Sequence, residues 1–68
     1  MIQIQIGILD GEVKAYLLKT SLTVEEVLKK FGVPFENKCI RLNSVQIFDL
    51  DRELGNNDII IVSDHRRI

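Results

Sequence analysis

The chain has no tryptophan, one cysteine, one proline, one histidine and no hydrophobic run of membrane-spanning length. Each scarcity excludes something. A lone Cys39 cannot form an internal disulfide, and it fits a reducing, cytoplasmic compartment. With His65 the only histidine, no His/Cys cluster has zinc spacing, and Cys39 lacks the base and orienting group that a nucleophile needs. No glycine-rich stretch is built to cradle phosphates. The net charge is −1, so no global field steers the chain to nucleic acid or to an anionic membrane. Nothing approaches the length of a membrane span. Residues 1–9 are apolar, but glutamines interrupt them and no basic segment precedes them, so they read as a strand and not as a signal peptide.

What is present describes one small globular domain over residues 1–68. The chain is 46% hydrophobic and 28% charged, outside the range of disordered chains. Ile2, Ile4, Ile6 and Ile8 alternate with Gln3, Gln5 and Gly7, the period of a half-buried strand. Asp10-Gly11 is a two-residue hairpin signal. Such a turn sets Ile8 against Val13, Ile6 against Ala15 and Ile4 against Leu17 on the inner side. The outer side then takes Gln3, Gln5, Lys14, Tyr16 and Leu18.

Thr23-Val24-Glu25-Glu26 is a capping box, with Leu22 and Val27 at the positions of a hydrophobic staple. Val24, Val27, Leu28 and Phe31 line one helix face. Gly32 and Pro34 stop the helix, which is predicted to run from Val24 to Phe31. Glu25–Lys29 and Glu26–Lys30 have the spacing of ion pairs. Strands are expected at Cys39–Asn43, in a short irregular piece within Val45–Leu50, and at Ile59–Val62. The order is hairpin, helix, strand, short strand, strand: an α+β domain with a mixed sheet of four or five strands and one helix across it.

That order resembles the β-grasp fold of ubiquitin-like domains. It is more closely similar to the small sulfur carriers of thiamin and molybdopterin biosynthesis. Leu42-Asn43-Ser44 stands where those carriers have Val-Asn-Gly. Leu54, Gly55 and Asn56-Asn57-Asp58 stand where they have Leu, a spacer and Asp-Gly-Asp, with Asn56 and Asn57 in place of Asp and Gly. The resemblance covers almost the whole chain, and with no phosphate loop or metal spacing in the residues no cofactor is expected. In the carriers a terminal Gly-Gly is adenylated and converted to a thiocarboxylate by an activating enzyme. Here the last residues are Arg67-Ile68 and no glycine follows Gly55, so the expectation is a non-enzymatic binding module without carrier chemistry. Two alternatives stay open. One is a sulfur carrier with a divergent tail. The other is a small regulatory module linked to nucleic acid, like the β-grasp domains appended to some translation-associated GTPases.

The candidate partner-binding residues lie on the outer sheet face. If Ile60 and Val62 point to the helix, Ile59 and Ile61 point away from it. They join Tyr16 and Leu18, with Gln3, Gln5, Lys14 and Arg41 as a polar border. An apolar centre with a polar rim fits a protein partner or a second copy of the chain. The resemblance supports this, because ubiquitin-like domains commonly bind through that face. Cys39 and Arg41 are expected to share it. The Asp49–Glu53 stretch lacks the ligand spacing of a calcium loop and reads as a solvated acidic loop. His65-Arg66-Arg67 is a short basic end.

Overall fold

In a computed structural model, described over residues 1–8 and 11–64, the elements run β1 (Ile2–Ile8), β2 (Val13–Leu18), α1 (Val24–Lys30), β3 (Lys38–Leu42), β4 (Val45–Ile47) and β5 (Asp58–Asp64). They form a mixed five-stranded sheet of order β2-β1-β5-β3-β4. Only β1 and β5 run parallel. The domain is therefore α+β. The expected tail and basic end, residues 65–68, and Asp10 of the expected hairpin turn lie outside the described residues.

The helix starts where its cap predicts. Glu26 N donates to Thr23 Oγ1 at 3.2 Å, and Thr23 N donates to Glu26 Oε1 at 2.9 Å. Both bonds of the capping box satisfy amides that would otherwise lack a partner. Glu26 thus turns back to the cap and not toward Lys30, while Glu25 pairs with Lys29 at 3.1 Å as expected. Phe31 is the C-cap and Gly32 follows at φ +69°, the left-handed stop that a glycine accepts without strain. Val24, Val27 and Leu28 are fully buried against Ile4, Ile6, Ile40, Ile47, Ile60 and Val62.

The first hairpin differs from expectation by one residue. Gly7 stands opposite Val13 and Ile4 opposite Tyr16, whereas a two-residue turn at Asp10-Gly11 sets Ile4 opposite Leu17. A slip of one residue turns every side chain of a strand over. Leu18 is accordingly a core residue, 2% exposed, and Tyr16 lies on the helix side with its ring stacked on Phe31 at 4.1 Å between centroids. Tyr16 thereby gains cover beside the helix in place of the smaller Ala15, while Leu18 replaces Leu17 like for like. Gly11 N closes the connection by donating to Ile8 O at 2.7 Å.

The remaining elements depart only at their ends. β3 begins one residue earlier than expected, and β5 continues through Asp64. Asn43 and Ser44 join β3 to β4 with φ of +53° and +74°, and Asn57 has φ +71°. Asn43 is anchored there: its Nδ2 donates to Asp58 Oδ1 and its Oδ1 accepts from Ile59 N, both at 2.9 Å. Among the described residues Ser44 has no such bond holding its side chain. We expect Ser44→Gly to stabilise the domain by about 0.5–1 kcal/mol, the left-handed penalty less the added freedom of the unfolded chain. A urea midpoint that does not rise would show the turn to be unstrained.

Candidate functional site

The helix covers one face of the sheet. The opposite face is built by the other half of each strand's alternation. One row crosses the whole sheet: Val13, Gly7, Ile61, Arg41 and Gln46 stand side by side on β2, β1, β5, β3 and β4. The next row sets Ala15, Gln5 and Ile59 together, and the next Leu17 and Gln3.

Gly7 makes the first row continuous. A Cβ there would lie 2.7 Å from Val13 Cγ2 and 3.0 Å from Ile61 Cδ1. The two side chains therefore lean toward each other over the glycine, forming an apolar ridge across three strands. Leu17 at 65% exposed, Val13 at 55% and Ile59 at 39% extend the exposed apolar surface along it. Beside Ile59, Gln3, Gln5 and Asn57 line a shallow depression of about 170 Å³. Arg41 is exposed at the other flank. Apolar area thus lies next to amides and a guanidinium that offer directional hydrogen bonds.

Of the residues proposed from sequence, Ile59, Ile61 and Arg41 are brought together on this face. Tyr16 and Leu18 are not; both belong to the helix side, for the register reason given above. Their places are taken by Val13, Ala15 and Leu17. The same alternation in residues 13–18 contained both sets, and the register of the hairpin distinguishes them. Gly7 was also missed, since a strand glycine signals a close approach without naming the side chains that make it. Cys39 shares the outer face with Arg41, as expected, and is half-buried.

Tyr16 instead borders an open cleft of about 520 Å³ on the helix side, between the β1–β2 hairpin and the helix end, with Ile6, Lys14, Phe31, Val33 and Pro34. Among the described residues, no group of three or more His, Cys, Asp or Glu side chains could hold a metal ion, and no helix is long and apolar enough to cross a membrane. The chain matches no protein-family model and no curated protein.

Proposed function

We propose that the chain is a non-enzymatic protein-binding module of β-grasp shape that engages its partner through the outer face of its sheet. The observation that carries this reading is the ridge of Val13 and Ile61 closed over Gly7 and extended by Ile59 and Leu17. Such a surface costs solvation free energy when left in water, and a partner's apolar surface removes that cost. The β-grasp shape is supported by a first hairpin, one helix, and first and last strands parallel at the sheet centre. It is supported also by the positive φ of Ser44 and Asn57, two positions where the resemblance has glycine.

Burying one aliphatic side chain of the ridge stabilises association by at most about 1.5–3 kcal/mol, before the entropy cost of binding. A charge in its place forfeits that and must be desolvated. Ile59→Lys is the suitable test, because Ile59 is already partly exposed, at 39%, and a lysine there can extend into solvent. The expected result is an unchanged circular dichroism spectrum together with at least tenfold weaker binding to proteins captured by the unaltered chain. Equal binding by the variant would remove the outer face from consideration.

A further inference from the structure

The sheet has two edges, and they are unequal. β4 is a three-residue edge, whereas β2 presents six residues, Val13–Leu18. Gln3 shows which way the β2 backbone faces. Its N–H donates to Asn56 Oδ1 and its C=O accepts from Asn57 N, both on the β5 side. Gln3 therefore directs its backbone away from β2. In an antiparallel ladder such a residue stands in a non-hydrogen-bonded pair, so the opposed residue, Leu17, directs its own backbone away from β1. By alternation the N–H and C=O groups of Val13, Ala15 and Leu17 all point outward from the sheet. Among the described residues nothing pairs with them. The devices that usually blunt an edge are missing: β2 has no proline, its ladder with β1 runs without a bulge, and Lys14 is its one charge.

We propose that β2 is a homodimerisation edge, pairing antiparallel with β2 of a second copy about a two-fold axis through Ala15. The inference concerns the edge and not the face of the sheet, and it does not rest on the binding reading above. The register follows from complementarity. Centred on Ala15, each Ala15 meets its symmetry mate, and Val13 of each copy meets Leu17 of the other. All three outward N–H groups and all three outward C=O groups of each strand then find partners. On the outer face the opposed side chains are apolar throughout, Val13 with Leu17 and Ala15 with Ala15. On the helix side Lys14 stands opposite Tyr16, where its stem lies along the ring. A register centred on Lys14 sets lysine against lysine. One centred on Tyr16 sets Val13 against Lys19 and leaves outward groups without partners within the strands. Because the pairing is isologous it closes at two copies, and the short β4 edge offers little to extend it. The interface is small, so association is weak and concentration-dependent.

Sedimentation equilibrium up to the millimolar range, with amide exchange measured residue by residue, tests the proposal. The expected mass rises from the 7.8 kDa of one chain toward twice that value. Over the same range the amides of Val13, Ala15 and Leu17 exchange progressively more slowly. Ala15→Pro removes the central outward N–H, and Ala15→Lys sets two ammonium groups face to face. Ala15 is exposed, so both variants are expected to keep the native circular dichroism spectrum and remain monomeric, while Ile59→Lys still dimerises. A chain that stays monomeric overturns the proposal. So does a dimer in which those three amides exchange as fast as in the monomer, or one that forms equally in a folded Ala15 variant. If both variants fail to fold, the exchange data on the unaltered chain decide.

Discussion

Leu18→Lys is expected to unfold the domain, and Leu17→Lys to leave it folded. The two side chains are neighbours of the same type in one strand, yet one is 2% and the other 65% exposed. Lysine at position 18 loses about 1.5–3 kcal/mol of apolar burial. It also places an unpaired ammonium in the core at a cost of several kcal/mol. A domain of this size has a total stability of about 3–10 kcal/mol, so the two losses together exceed or nearly exhaust it. Lysine at position 17 extends into solvent and changes stability by no more than about 0.5 kcal/mol. Far-ultraviolet circular dichroism in a urea series checks both. The opposite pattern, a folded Leu18→Lys and an unfolded Leu17→Lys, would establish the pairing in which Ile4 meets Leu17.

The second large effect lies on the helix. Leu28 is completely buried, within the one helix that covers the sheet among the described residues. Leu28→Ala leaves a cavity that neighbouring strands cannot close, because their positions are set by the ladder. Truncations of this kind cost about 2–5 kcal/mol. Leu28→Met, which nearly conserves volume, costs less than about 1.5 kcal/mol. The check is the denaturation midpoint of each variant, with the slope of the transition unchanged. A midpoint shift for Leu28→Ala no larger than that for Leu28→Met would mean that the helix is loosely seated.

These two predictions mark where the sequence was legible and where it was not. The helix could be read closely because its signals are local: Thr23 and Glu26 close the cap on each other, and Gly32 ends the turn a few residues later. The face of β5 was also legible, since the pairing that buries Ile60 and Val62 exposes Ile59. The first hairpin was not. Residues 13–18 carry apolar side chains on both faces, Val13, Ala15 and Leu17 against Tyr16 and Leu18, so alternation alone did not choose between them. The choice was made by the connection and by a tertiary contact, the stack of Tyr16 on Phe31, which no local pattern contains. The site inherited that error: Ile59, Ile61 and Arg41 were placed correctly and Tyr16 and Leu18 were not. The apolar ridge required knowing that Gly7 lies between Val13 and Ile61, a relation among three strands from distant parts of the chain.

The parallel pairing of β1 with β5 has a kinetic consequence. The centre of the sheet is made by its first and last strands, with Gln5 beside Ile59 and Gly7 beside Ile61. During synthesis the hairpin, the helix and the β3–β4 pair can each begin to form, but they have no common floor until residues 58–64 leave the ribosome. Until then the β5-facing edges of β1 and β3 are both open, and Ile4, Ile6 and Ile40 lack the strand that completes their packing. Closing so long a loop late makes folding slow for a chain of this length. The nascent chain must therefore pass through a stage in which its unpaired strands are open to each other's wrong neighbours, and to those of other chains.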